Sequence, residues 1–361
     1  MILKKYSKAV AVLILVATVY FSFYSLMPKA VTETNVPEAQ FSTQRALVHL
    51  KEITKKPHYT GSEAHTVVRN YLVNEFEQLG LTVEIQEQVA VNKKWRAATN
   101  TKNILARIKG SENGKALLLL SHYDSNPHSS LGASDAASGV VIILEGIRAF
   151  LAENKTHKND IIICISDAEE LGLLGANAFV NNHPWAKDVG LVLNFEARGS
   201  GGPSYMLMET NGGNKNLIEA FQKANTPYPA ANSLMYSVYK MLPNDTDLTV
   251  FREDGDIDGF NFAFIGDHFD YHTAQDTVER MDLNTFQHQV SYLTATLNYY
   301  SNADVSNLKA DEESTLKFAE DTKIKREKCI LIRSTFLETN NISVASRKLG
   351  VSRTTIYKHL N

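Results

Sequence analysis

The feature that most constrains this chain is an alternation. Short apolar runs of strand length, "ALLLLSHYD", "DIIICISD" and "VGLVLNFEA", are separated by the helix-period stretches "SGVVIILEGIRAFLAE" and "GLLGANAFVNN". Strands that alternate with helices bury their apolar faces most simply as a layered α/β sandwich, with helices on both sides of a mainly parallel but mixed sheet. The expected fold is therefore a three-layer α/β sandwich. No repeat of 20–50 residues and no low-complexity tract interrupts it.

Each unusual polar cluster begins where one of these apolar runs stops. His122 and Asp124 follow "ALLLLS", Asp167 to Glu170 follow "IIICIS", Glu196 follows "VLNF", and Asp267 to His272 follow "FAFIG". In open α/β sheets the functional crevice lies beyond the carboxyl ends of the strands, so these four segments are expected to converge on one rim. Buried carboxylates and imidazoles gathered there repel one another and are costly to desolvate unless a cation neutralises them. Only two cysteines occur, Cys164 and Cys329, so neither a disulfide framework nor a thiolate cluster is available. Oxygen ligands with two imidazoles and no thiolate suit zinc.

The motifs "SHYDS", "GASDAASG", "SDAEELGLLGA", "LNFEARGSGG" and "YHTAQDT" resemble, in order, those of the di-zinc aminopeptidase family. The last two look most like the branch with the endoplasmic-reticulum and vacuolar-membrane metallopeptidases and their bacterial relatives. The resemblance covers the region from Thr43 to about Asn302 and implies a peptidase domain there, with two zinc ions per chain and peptide or protein substrates. It implies that Asp135 bridges both ions, that His122 and Glu196 complete one site, and that Glu170 and His272 complete the other. Glu169 is implied as general base and Asp124 as the carboxylate that orients His122.

The implied chemistry is coherent. Two neighbouring cations can hold a hydroxide between them, lower its pKa and stabilise the tetrahedral transition state, while a carboxylate that is not a ligand moves the proton to the leaving amine. The expected reaction is hydrolysis of N-terminal peptide bonds. The same frame also supports carboxypeptidase or glutaminyl-cyclase-like chemistry. Arg198, Asp247 and Tyr271 resemble substrate-contacting positions, with Asp245 in the same segment as Asp247. His128, His183 and His268 lie near the motifs without matching them and read as loop residues. Ser134 and Ser138 lack the strand-turn-helix setting of a nucleophile elbow.

The two ends of the chain carry separate signals. Lys4, Lys5 and Lys8 precede an uncharged stretch, residues 9–27, which reads as an uncleaved transmembrane anchor within a segment 1–27. Lysines ahead of the span predict a cytoplasmic N-terminus and an extracytoplasmic catalytic domain, periplasmic or luminal. Residues 28–42 read as a stalk and 303–321 as a linker. Residues 322–361 hold nine Lys or Arg against two acids, and "FLETNNISVASRKLGVSRTTIYKHLN" resembles the helix-turn-helix of factor-for-inversion-type regulators and resolvases. That likeness implies an all-α tail with Arg353, Thr354, Thr355 and Lys358 facing DNA. A membrane-tethered DNA-binding regulator is thus an alternative function, which the extracytoplasmic topology disfavours.

Overall fold

A computed structural model describes residues 2–29, 35–241, 245–306 and 308–309. One compact unit comprises Met1–Asn211 with Leu217–Leu308; Gly212–Asn216 groups with Lys309–Asn361 in a second.

Three helices, α1 (Ile2–Tyr24), α2 (Thr43–Ile53) and α3 (Glu63–Gln78), lead into the strands β1 (Val83–Asn92), β2 (Ala97–Ile108) and β3 (Ala116–His122). Helix α4 (Gly139–Ala152), β4 (Ile161–Ser166), α5 (Leu174–Asn182), β5 (Val189–Ala197) and β6 (Gly201–Glu209) follow. The chain continues through α6 (Lys215–Lys223), α7 (Ser233–Met241), α8 (Asp247–Gly255), β7 (Gly259–Gly266) and α9 (Leu283–Tyr300).

Among the described residues the strands form one seven-stranded sheet in the order β1-β2-β4-β3-β5-β7-β6. The central strands β4, β3, β5 and β7 run parallel, and antiparallel β1 with β2 on one side and β6 on the other complete the sheet. The mainly parallel sheet expected from the alternation forms, and the antiparallel outer strands make it mixed. Each apolar run becomes a central strand, buried along its length because helices cover both faces.

Side chains of β3 show the layering directly. Leu117 and Leu119 pack with α2, α4 and α9, whereas Leu118 and Leu120 pack with Phe179 of α5 and Leu248 and Phe251 of α8. This is the period-two alternation of a strand between two helical layers. Register between the central strands sets Asn194 opposite Asn261 and Glu196 opposite Ala263.

Helix α1 corresponds to the segment read as an anchor, and here the expectation needs correction. Only residues 9–24 of the uncharged stretch are helical, a rise of roughly 24 Å at 1.5 Å per residue. A hydrocarbon core is about 30 Å thick. Among the described residues no helix is long and apolar enough to cross a membrane. The proposed helix-turn-helix, with Arg353, Thr354, Thr355 and Lys358, lies outside the described residues, as does most of the linker.

Candidate metal centre

The parallel strands end on one rim, and the turns after them carry the polar clusters. His122 is the last residue of β3, Glu169 and Glu170 sit in the turn after β4, Glu196 is near the end of β5, and His272 lies in the loop after β7. Asp135 sits in a tight turn, Ala133–Ser138, that links β3 to α4; its peptide bond to Ala136 is cis. Helix α4 starts hard against the sheet at Gly139, where a Cβ would fall 2.5 Å from both the Phe195 carbonyl oxygen and Ser121 Oγ. His272 adopts a left-handed backbone, φ 57°, which side-chain-bearing residues occupy at a cost and mostly where surrounding structure holds them.

Two groups of ligand-type atoms result. In one, atoms of His122, Glu169 and Glu196 lie within 4.8 Å of one another; in the other, atoms of Asp135, Glu170 and His272 do. Asp135 joins them. Its Oδ1 is 3.3 Å from His122 Nε2 and its Oδ2 is 3.1 Å from His272 Nε2. Glu196 Oε2 lies 3.6 Å from His122 Nε2, Glu169 Oε2 lies 4.0 Å from it, and Glu170 Oε2 lies 3.1 Å from His272 Nε2.

The electrostatics call for cations. Burial, with the repulsion of Glu196, Asp247 and Glu170, pushes Glu169 well above the carboxylate range despite the pull of His122. Burial and the neighbouring Asp135 push Glu170 up to about 7. Burial would lower both imidazoles, but the carboxylates around them prevail: His122 is held well above its ordinary value and His272 is raised to about 9. Burial would raise Asp135, yet its contacts with His122 and His272 hold it low. Glu170 Oε1 is buried and has no hydrogen-bond partner. Buried acceptors of this kind are normally satisfied, so a hard or borderline cation fits the donor set.

A second layer fixes these side chains. Asp124 accepts the main-chain N–H of Glu169 on Oδ1 at 3.0 Å and that of Glu170 on Oδ2 at 3.2 Å. His122 Nδ1 lies 2.9 Å from the Asp124 carbonyl oxygen and 3.4 Å from Oδ1. Thr60 Oγ1 donates to Asp124, and His65 Nε2 lies 2.8 Å from Asp167 Oδ1. Asn126 donates to Glu170 Oε2 at 2.8 Å. Asp276 accepts the N–H groups of Ser134 and Asp135. Sequence reasoning missed Thr60, His65, Asn126 and Asp276. Only Asp276 carried a signal, as an acid four residues after His272 within the motif already singled out.

A cavity of ≈ 80 Å³ adjoins the centre, and Asp135, Glu169, Glu196, Arg198, Asp245 and Tyr271 are among the residues that line it. The Tyr271 ring stacks on His272, 3.6 Å between centroids, and the Arg198 guanidinium lies 6.0 Å from the Tyr271 ring. Asp247 is placed differently from its neighbours in sequence: it is fully buried behind the centre, bonded by Ser166 Oγ, and burial pushes it up to about 7. His128, His183 and His268 belong to neither group, and Ser138 Oγ donates to the Ser134 carbonyl.

Residues 103–297 match the family model described as peptidase family M28. The chain is 30% identical over 327 residues to a vacuolar membrane protease of Candida tropicalis, covering 86% of this chain and 35% of that one. It is 27% identical to endoplasmic reticulum metallopeptidase 1 of Rattus norvegicus, covering 78% of this chain and 33% of that one. The chain thus spans about a third of the length of these relatives. Among solved structures, a leucine aminopeptidase precursor from Bacteroides thetaiotaomicron superposes with a TM-score of 0.56 at 22% identity over 76% of this chain and 99% of that one. Porphyromonas gingivalis glutaminyl cyclase does so with a TM-score of 0.56 at 22% identity over 72% and 98%. At this identity the two solved structures share the fold.

Proposed function

We propose that this chain, which belongs to peptidase family M28, is a zinc-dependent aminopeptidase-type hydrolase with two ions per chain, acting on peptides or proteins. The observation that carries the reading is Asp135, which turns one carboxylate oxygen toward each of the two histidines. His122 and Glu196 would hold one ion, Glu170 and His272 the other, and Asp135 both. Bound zinc would supply an acidified water and polarise the scissile carbonyl.

The rest is the work of the chain's own residues. Glu169 accepts the proton of the attacking water and returns it to the leaving amine. Asp124 aims the two adjacent glutamates by holding their main-chain N–H groups on separate oxygens. It also sits against the Nδ1 edge of His122, leaving Nε2 to face the centre. Arg198 and Tyr271, on the cavity wall, would contact the substrate. Burial and neighbouring carboxylates raise the pKa values of Glu169 and Glu170, and positive charge at the centre would lower them and favour the ionised forms.

Membrane association belongs to the same proposal. Relatives named as membrane proteases support it, and the catalytic domain is proposed to lie on the extracytoplasmic side. Metal analysis of the purified full chain, with an aminoacyl-anilide assay and product identification, tests the activity. About two zinc ions and release of free amino acids are expected. A folded protein that binds no zinc would overturn the reading, and cyclised or carboxyl-terminal products would redirect it.

A further inference from the structure

The connection between β4 and α5, Asp167 to Leu173, carries both adjacent glutamates on a contorted backbone. Ala168, Gly172 and Leu173 all take left-handed conformations, with φ of 58°, 108° and 61°. Two of the three bear side chains, so the shape is costly and persists only where neighbouring structure imposes it. At the start of the turn that constraint is Asp124, which holds the Glu169 and Glu170 N–H groups. At its end the Glu169 carbonyl accepts the N–H groups of Gly172 and Leu173, so the placement of Gly172 is passed back to the glutamate. Gly172 is itself held from outside the turn, by the tip of the β1–β2 hairpin.

Three contacts make that link. Asn92, the last residue of β1, donates from Nδ2 to the Gly172 carbonyl at 2.8 Å. Its Oδ1 accepts the main-chain N–H groups of Lys94 and Trp95 at 3.0 and 3.2 Å, so only one orientation of the amide satisfies all three partners. Trp95 lies so close to Gly172 that a Cβ there would fall 2.9 Å from both its Cβ and its Cγ. Ala90 and Ala97 of the hairpin share a small apolar cluster with Ala168 and Leu171 of the turn. Lys94 Nζ also reaches Asp245 at 2.8 Å, but its side chain is 69% exposed and such a pair adds little. We propose that Asn92 and Trp95 are positioning residues for Glu169, the hairpin tip fixing the far end of the turn and with it the direction of the base. The proposal rests on the reading of Glu169 as general base.

Asn92→Asp keeps the acceptor that shapes the tip but sets a carboxylate oxygen against the Gly172 carbonyl. Trp95→Ala removes the packing, and Trp95→Phe keeps a ring beside Gly172. Each would be made in the full chain, in the native and the Glu169→Gln background. Steady-state kinetics would use the aminoacyl p-nitroanilide that the wild type turns over fastest, in excess zinc so that any weakening of Glu170 as a ligand is masked. Asn92→Asp and Trp95→Ala should each lower kcat about tenfold with KM within about twofold, and Trp95→Phe should recover most of the loss. In the Glu169→Gln background the same changes should lower the residual rate by less than about twofold, because the side chain they misdirect no longer accepts a proton. Asn92→Asp is nearly isosteric and keeps the test decisive if Trp95→Ala does not fold. An unchanged kcat in folded variants, or equal losses in both backgrounds, overturns the proposal and leaves Glu169 as the base. Undiminished activity of Glu169→Gln alone overturns the base assignment, and the proposal with it.

Discussion

Asp276 accepts the main-chain N–H of Asp135 at 3.2 Å and that of Ser134 at 2.7 Å, so the turn that presents one shared carboxylate is tied down by another. Because Asp276 lies in the loop that also carries His272, it links segments more than a hundred residues apart. Asp276→Ala should therefore weaken zinc binding by about 10–100-fold, the usual effect of removing a ligand's support. Competition with a chelator measures this. Unchanged affinity in a folded variant would show that the turn holds its shape unaided.

The adjacent glutamates should separate cleanly. Glu169→Gln keeps the shape but cannot accept a proton, and a loss of about 10²–10⁴ in kcat with near-normal zinc content is expected. Glu170→Gln should instead lower zinc content, with activity partly recovered in excess zinc. Elemental analysis beside single-substrate kinetics distinguishes them. The opposite pattern would exchange their roles.

Acid should stabilise the metal-free protein. Glu170, Asp247 and Asp276, each raised to about 7, bind more protons folded than unfolded, so they lower stability as pH climbs from about 4.5 toward 7. His272, raised to about 9, contributes stability that is complete below about 6.5 and disappears as pH rises through 9. The two effects have the same sign. Asp124 and Asp135, held low, act only below the usual carboxylate range. Chelated protein should thus melt about 5–10 °C higher at pH 5.5 than at pH 8.5. Zinc should shrink or reverse that difference, and a flat melting profile without metal would contradict the electrostatic account.

Topology is tested with a reporter active only outside the cytoplasm, fused after Asn302 in cells that make the chain. Activity is expected, together with recovery of the protein in the membrane fraction. Reporter activity confined to a cytoplasmic fusion would reverse the orientation.

How much was legible beforehand depends on what each residue answers to. The central strands were readable because burial on both faces leaves runs such as "IIICIS" with no charged residue, and their ends were readable because charge resumes at once. The sheet edge was less so: β1 is mostly exposed, β2 is buried mainly along its second half, and their antiparallel pairing has no equally strong mark. Within the centre, the six side chains from His122 to His272 were named from motif resemblance, and the fold brings them together. Thr60 and His65 were invisible because their contacts with Asp124 and Asp167 exist only after folding. Asp247 looked like its neighbour Asp245, but it begins α8 and turns inward.

The pairing of Glu196 with Ala263 also makes the centre a checksum on the sheet. A slip of one residue between β5 and β7 would turn Glu196 to the opposite face and point Phe195 or Ala197 at His122 instead. Such a chain could be compact and well populated with strands, yet it would fail to retain metal. Zinc retention through a chelating column would then sort correctly threaded molecules from near misses, a distinction that spectroscopic helix and strand content cannot make.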